Sequence, residues 1–126
     1  MAKQNLLLAT AGEDAAVRYL QENGFKIIVR NYRTGLGEVD IIACDRDTVC
    51  FIEVKTRSSG RFGLPKEAVS AAKQRQISKA ALQFLKERNF LKKKARFDVV
   101  SIFSGDGVPQ ISLLKNAFEL DNSFLY

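Results

Sequence analysis

The stretch GEVDIIACDRDTVCFIEVKTR, residues 37–57, contains two apolar runs that are joined by a short charged segment. Runs of this length and composition, separated by a tight polar turn, predict a β-hairpin. Three charged residues, Asp40, Glu53 and Lys55, interrupt the apolar runs where a buried strand ordinarily carries Val or Ile. The fold and the candidate site therefore both depend on how these two strands pair.

The two-residue loop Arg46-Asp47 sets the predicted register of the hairpin. With this loop, Asp40 lies directly opposite Glu53. Because side chains alternate between the two faces of a strand, Lys55 shares the face of Glu53. The register thus predicts two carboxylates that face each other, with an ammonium group beside them.

Such a pair of carboxylates is a poor choice for structure alone. Like charges opposite each other destabilise a sheet by roughly 0.2–1 kcal/mol, and burial adds a desolvation cost. Mg²⁺ is typically held by one or two carboxylates, with water and phosphate oxygens completing its shell. The hairpin therefore predicts a Mg²⁺ site at Asp40 and Glu53, with Lys55 placed to pair with a phosphate or to orient an attacking water.

The rest of the chain predicts two helices and three further strands. The first helix has Thr10 as its N-cap and Gly24 as its stop, and the second runs from Lys66 to about Arg88. The segments FKIIVRNYR, RFDVVSIF and QISLL are typical of strands. A strand that follows a crossover helix usually returns parallel to the strand before it. We therefore expect an α/β domain in which helices flank a mixed β-sheet, in the order α-β-β-β-α-β-β.

Length and charge indicate a single domain over residues 1–126 that binds a polyanion. The 126 residues are enough for one packed core. Lys and Arg number 20 against 14 Asp and Glu, which gives a formal net charge of +6. Nucleic acid is the polyanion that such a field most often meets in a cytoplasm.

Composition also indicates where the protein is located. No segment is both uncharged and long enough to cross a bilayer, and the apolar run near the N-terminus is shorter than a signal peptide requires. We therefore expect a cytoplasmic protein that has no membrane partner. Cys44 and Cys50 lie on opposite faces of the predicted hairpin, so we expect no disulfide between them.

Two acidic residues outside the hairpin have alternative interpretations that the sequence leaves open. Glu13 either forms a capping box with Thr10 or points inward, on the helix face of Ala16 and Leu20, and joins the site. Asp98 either supports the site from behind or, as we favour, forms a salt bridge on an edge strand.

Basic residues near the hairpin are candidates for contacts with a nucleic-acid backbone. Four arginines flank the hairpin and the loop that follows it: Arg30, Arg33, Arg57 and Arg61. Lys73 lies between apolar positions of the second helix and has two interpretations. In the favoured one it lies on the rim of the core, with its stem on apolar surface; in the other it contacts a phosphate at the mouth of the site.

Four segments in this order resemble a known family: GEDAAVRYLQENGFKI, NYRTGLGEVDIIACD, FIEVKTR and RFDVV. They resemble the YraN-like bacterial family of predicted endonucleases in the PD-(D/E)XK superfamily, which is similar in turn to archaeal Holliday junction resolvases. The resemblance extends from about Gly12 to about Phe103 and implies a restriction-endonuclease-like fold.

The resemblance also implies a role for each site residue. Asp40 and Glu53 correspond to metal ligands, and the backbone carbonyl of Val54 corresponds to a third ligand. Lys55 corresponds to the catalytic lysine, and Glu13 to the helix carboxylate that completes the site. The implied cofactor is Mg²⁺ or Mn²⁺.

The leading hypothesis is a metal-dependent endonuclease that hydrolyses phosphodiester bonds in DNA. Because 126 residues leave little room for a separate recognition domain, we expect it to recognise branched or junction DNA rather than a base sequence. The alternative is a nucleic-acid-binding module that keeps the scaffold without catalysis, and a third interpretation is a structural protein whose carboxylates are only ion-paired. The apolar tail NAFELDNSFLY either forms a homodimer surface, as in the resolvase-like relatives, or packs on its own sheet.

Overall fold

The computed structural model describes residues 2–57, 69–103 and 107–120, and of residues 2–10 it describes the backbone only. The elements follow the order α-β-β-β-α-β-β, which confirms the predicted order. They are α1 (Ala2–Glu22), β1 (Lys26–Arg33), β2 (Glu38–Asp45), β3 (Thr48–Arg57), α2 (Ala71–Glu87), β4 (Lys94–Phe103) and β5 (Gln110–Phe118). Among the residues described, neither helix has the length and apolar composition that a membrane crossing requires.

The five strands form one sheet in the order β1-β2-β3-β4-β5. Strands β3 and β4 are parallel because α2 connects them as a crossover, and the other neighbours are antiparallel. The predicted mixed sheet is therefore confirmed. The sheet separates two hydrophobic clusters: α1 supplies Ala16 and Leu20 to one, and α2 supplies Ile77 and Phe84 to the other.

The hairpin pairs as its loop predicts. Ala43 lies opposite Cys50, and Asp45 lies opposite Thr48, which leaves two residues in the loop. The first of them, Arg46, has a φ of 59°, the left-handed conformation that such short loops require. Cys44 and Cys50 are free thiols, as expected.

Helix α1 begins earlier than the sequence predicted. Because it starts at Ala2, Thr10 lies inside the helix and is not its N-cap, so the capping-box interpretation of Glu13 is wrong. The segment before Thr10 is rich in Leu and Ala, both strong helix formers, and it extends the helix upstream. The predicted stop is confirmed, because Gly24 has a φ of 88° and the Phe25 amide donates to the Leu20 carbonyl.

Helix α2 begins later than predicted. It starts at Ala71, and the Ser70 hydroxyl accepts a hydrogen bond of 3.1 Å from the Lys73 amide. The apolar periodicity predicts a start at Lys66 because Val69 fits it, but Val69 is buried just before the helix rather than within it. Lys66 itself lies outside the described residues.

Strand β5 is longer than the predicted segment QISLL. It continues to Phe118, and both Ala117 and Phe118 are buried in the cluster on the α2 side of the sheet. This part of the apolar tail therefore packs on its own sheet. Residues 121–126 lie outside the described residues, so a homodimer stays a prediction.

Candidate functional site

An irregularity in the sheet lies next to Asp40. Along β1 the Arg30 side chain contacts α1, whereas the Tyr32 ring contacts Phe84 of α2, so alternation breaks between them. The intervening residue, Asn31, has a φ of 54°. It lies opposite Asp40, because Arg30 pairs with Ile41 and Tyr32 pairs with Val39. The register of β1 against β2 shifts earlier, between Ile27 and Val29, and is regular from Val29 to Arg33, so Asn31 changes the side-chain alternation without inserting an extra residue.

A hydrogen bond holds the Asp40 side chain against β3. The pairing of β2 with β3 extends from the loop to the pair Ile41 and Ile52. One residue before Ile41, Asp40 accepts a hydrogen bond of 2.8 Å at Oδ2 from the Val54 amide. The carboxylate is thereby held beside Glu53, as the register predicted.

Glu53 is a buried carboxylate with unequal oxygens. Only 6% of the Glu53 surface is exposed to solvent. Oε1 lies 3.7 Å from Lys55 Nζ and 3.8 Å from Lys73 Nζ, while Oε2 is buried and accepts no hydrogen bond from the described residues. A buried acceptor that lacks a partner is costly, so Oε2 indicates a place for a ligand that the protein does not supply itself.

Burial and the neighbouring charge both favour the protonated form of Glu53. Its pKa is raised from 4.5 to about 7, first by burial and then by the charge of Asp40. Lys73 and Lys55 act in the opposite direction, but they do not cancel the effect. A cation close to Oε2 would return Glu53 to its charged form.

The residues present fit a hard divalent cation. Asp40 and Glu53 offer adjacent carboxylate oxygens, one of them buried without a partner, and Mg²⁺ prefers such ligands together with water and phosphate oxygens. Within residues 2–57, 69–103 and 107–120 there is no group of three or more His, Cys, Asp or Glu side chains that could hold a metal. The site therefore rests on two carboxylates.

Glu13 is engaged elsewhere in this arrangement. Its Oε1 accepts hydrogen bonds of 3.0 Å from Arg30 Nε and 3.0 Å from Asn31 Nδ2. Helix α1 nevertheless approaches the site end of β3 closely, since a Cβ at Gly12 would come within 2.6 Å of Thr56 Oγ1. Glu13 is thus on the helix face that packs on the sheet, and its role at a metal stays a prediction.

The predicted basic residues lie in different environments. Arg30 is paired with Glu13 and Asp14, whose carboxylates raise its pKa. Arg33 and Lys73 both contact Glu38, and Lys73 is half-buried beside Glu53 as well. The remaining two are Arg57, at the exposed end of β3, and Arg61, which lies outside the described residues.

Helix α2 is held against the site by a close backbone contact. A Cβ at Gly37 would lie 2.3 Å from the Gln76 carbonyl oxygen, so only glycine permits this approach. The turn before Gly37 is fixed by Thr34, whose Oγ1 accepts hydrogen bonds from the amides of Leu36 and Gly37. The contact places Lys73 above Glu53.

Asp98 forms a separate cluster. It is fully buried and accepts hydrogen bonds of 2.9 Å from Arg96 Nε and 2.9 Å from the Asn116 amide. Arg96 also donates to Asp45 Oδ2 at 3.0 Å, and Lys115 donates to the same oxygen at 3.2 Å. The predicted salt bridge is present, but the predicted edge strand is wrong because β4 lies between β3 and β5.

Sequence reasoning missed two contributors to the site. Glu38 was not singled out, although it begins β2 and its carboxylate joins Arg33 to Lys73. Asn31 was also missed, and only its tolerance of positive φ could have indicated it. The role of Glu38 depends on how α2 meets the sheet, and that of Asn31 on how α1 meets it, and local sequence encodes neither.

Comparison with known proteins shows similarity along nearly the whole chain. A sequence profile of the uncharacterised protein family UPF0102 matches residues 12–102. A UPF0102 protein from Geobacter metallireducens is 50% identical over 120 residues, which cover 95% of this chain and 98% of the relative. One from Syntrophus aciditrophicus is 46% identical over 117 residues (93% and 92%), and one from Rhodococcus opacus is 48% identical over 115 residues (90% and 98%).

Proposed function

Since the chain belongs to the uncharacterised protein family UPF0102, whose name assigns no activity, we propose a function from the site itself: a metal-dependent endonuclease that hydrolyses phosphodiester bonds in DNA. One observation carries the proposal. Glu53 is buried beside Asp40, and its Oε2 has no hydrogen-bond partner among the described residues. The ammonium groups of Lys55 and Lys73 lie 3.7 and 3.8 Å from its other oxygen, Oε1. The resemblance to PD-(D/E)XK nucleases supports the same conclusion.

Asp40 and Glu53, together with the backbone carbonyl of Val54, would hold Mg²⁺ or Mn²⁺. When bound, such an ion stabilises the negative charge that develops during phosphoryl transfer and lowers the pKa of water. The Val54 amide fixes the Asp40 carboxylate by donating a hydrogen bond to it. Oε2 of Glu53 has no hydrogen-bond partner among the described residues and is therefore available to the ion.

Lys55 supplies positive charge to the reacting phosphate. Its side chain is 34% exposed, so the ammonium group reaches solvent while its stem lies against the sheet. At 3.7 Å from Glu53 Oε1, the ammonium is too far away for a hydrogen bond, and its N–H donors remain available to a phosphate oxygen or to the attacking water. Loss of this charge should slow hydrolysis more than it weakens DNA binding.

The substrate that fits best is DNA with a distinctive shape, such as a junction or a flap. The net charge of +6 favours contacts with phosphates, which position a protein on DNA without reading its bases. The five strands and two helices form one sheet domain, and the described residues contain no further unit for base readout.

The test is a cleavage assay on labelled four-way junction, flap, single-stranded and linear duplex DNA, in Mg²⁺, in Mn²⁺ and in EDTA. The wild-type protein is compared with Glu53→Gln and Lys55→Met. Matched controls are Glu22→Gln and Lys86→Met, which change exposed residues at the far ends of α1 and α2.

We expect metal-dependent cutting that is strongest on branched DNA, lost in both site variants and retained in both controls. Binding of DNA without cutting under every metal condition would contradict the proposal and favour the non-catalytic binding module. A protein that neither cuts nor binds DNA, and whose stability does not respond to divalent metal, would favour the structural interpretation.

A further inference from the structure

Three charged side chains from three elements meet at the mouth of the candidate site. Arg33 on β1 lies opposite Glu38 on β2, with 3.4 Å between Arg33 Nε and Glu38 Oε2. The other oxygen, Glu38 Oε1, lies 4.0 Å from Lys73 Nζ on α2. One carboxylate thus bridges two cations, and each of its oxygens faces a different one.

The bridge is loose and accessible. Both distances exceed the 2.7–3.2 Å that is usual for N–H···O hydrogen bonds, so Glu38 does not satisfy the donors of either cation. The side chains of Arg33 and Glu38 are 75% and 47% exposed, and that of Lys73 is 26% exposed. Exposed ion pairs of this kind contribute little to stability, so an external anion can replace the Glu38 carboxylate.

The backbone positions that carry the two cations are nevertheless fixed. Lys73 stands on the first turn of α2, which the close approach of Gly37 to the Gln76 carbonyl fixes against the sheet. Arg33 ends β1, where the following turn is closed by the hydrogen bond from the Thr34 amide to the Gly37 carbonyl. Because both backbones are fixed, the binding of an anion has to order only the two side chains.

Lys73 also connects this cation pair to the candidate centre. Its Nζ lies 3.8 Å from Glu53 Oε1 and 4.0 Å from Glu38 Oε1, so the same ammonium faces both carboxylates. An anion held between Arg33 and Lys73 therefore lies immediately beside Glu53.

We propose that Arg33 and Lys73 form a binding subsite for a backbone phosphate of nucleic acid, and that the Glu38 carboxylate occupies this subsite in the free protein. The phosphate is a neighbour of the one that is cut, and its two non-bridging oxygens take the places of the two Glu38 oxygens. The choice of nucleic acid as ligand rests on the proposed function. Glu38 weakens binding because DNA must displace it.

The test measures affinity for a labelled four-way junction in EDTA, at salt concentrations from about 50 to 200 mM, where no cutting occurs. The site variants are Arg33→Met, Lys73→Met and Glu38→Gln. The matched controls are Lys86→Met, about 20 Å further along α2, and Glu22→Gln, an exposed acid at the end of α1.

We expect Arg33→Met and Lys73→Met each to reduce the slope of log affinity against log salt by about one, as the loss of one phosphate contact does, while Lys86→Met leaves it unchanged. Glu38→Gln should raise the affinity several-fold, and more than Glu22→Gln does. In a protein that already carries Arg33→Met and Lys73→Met, the gain from Glu38→Gln should disappear because the subsite no longer exists.

Unchanged slopes in both cation variants would overturn the subsite, as would an equal gain from Glu38→Gln and Glu22→Gln. If the protein cuts DNA but these slopes do not change, the inference fails and the nuclease stands. If the slopes change but no DNA is cut in Mg²⁺ or Mn²⁺, the subsite stands and the nuclease fails. Absence of DNA binding by the wild-type protein overturns both.

Discussion

Replacement of Glu53 by glutamine should stabilise the protein when no divalent cation is present. Glutamine keeps the shape of the side chain but removes the charge of a residue that is only 6% exposed. The folded state raises the pKa of Glu53 from 4.5 to about 7, and this difference corresponds to about 3 kcal/mol between the two protonation states. That pKa already includes the attraction of Lys73 and Lys55, so we expect a gain of up to about 3 kcal/mol above pH 7.

The gain should depend on pH in a defined direction. Between pH 4.5 and about 7 the native Glu53 binds more protons than the unfolded one, so the wild-type protein loses stability as the pH rises through this window. The glutamine variant lacks this group and does not share the loss. The difference in unfolding free energy between the two proteins should therefore be near zero at about pH 4.5 and complete at about pH 8.

Urea unfolding in EDTA at several pH values measures this difference, with Glu22→Gln as a control because it removes the same charge from an exposed position at the end of α1. Addition of Mg²⁺ should then stabilise the wild-type protein and leave Glu53→Gln unchanged, since a ligand stabilises only the state that binds it. A stability difference that stays constant across pH, or an equal response of both proteins to Mg²⁺, would refute the reasoning.

Three other substitutions test separate parts of the structure. Gly37→Ala should cost about 1–3 kcal/mol in urea unfolding because its Cβ would meet the Gln76 carbonyl at 2.3 Å, whereas Gly35→Ala, which meets no atom within 4 Å, should cost much less; equal costs would show that α2 does not pack as described. Asp98→Asn should cost about 3 kcal/mol because it removes the fully buried main partner of Arg96, which is itself partly buried and keeps only Asp45, and Asp47→Asn on the exposed loop serves as its control; a loss below 1 kcal/mol at Asp98 would contradict the importance of this pair. A thiol reagent should label Cys44 first, because Cys50 is fully buried and burial raises its pKa to about 12, so Cys44→Ser should abolish rapid labelling in the native protein, and persistent rapid labelling would contradict this.

The hairpin could be predicted because its information is local. The loop Arg46-Asp47 fixes the register, and the register brings Asp40 to Glu53 without reference to the rest of the chain. The strand and helix order followed in the same way from periodicity and turn residues. Boundaries were less accurate where strong helix formers precede the expected cap, as before Thr10.

The surroundings of the site could not be predicted because they depend on contacts between distant segments. The buried state of Asp98 requires β5 to lie beside β4 and to present the Asn116 amide, 18 residues away along the chain. The bridge from Glu38 to Lys73 requires α2 to dock on the turn at Gly37. Neither contact leaves a periodic pattern in the sequence.

The sheet also determines how the protein will respond to destabilising substitutions. Strand β3 supplies side chains to both hydrophobic clusters: Phe51 belongs to the one beneath α2, and Ile52 to the one beneath α1. Because the two clusters share a strand, they should lose structure together in one cooperative transition. Glu53 follows directly after these two residues, so its backbone position depends on the packing of both clusters. Suppressors of a defect at the site should accordingly arise on either face, including positions on α1 that never approach Lys73.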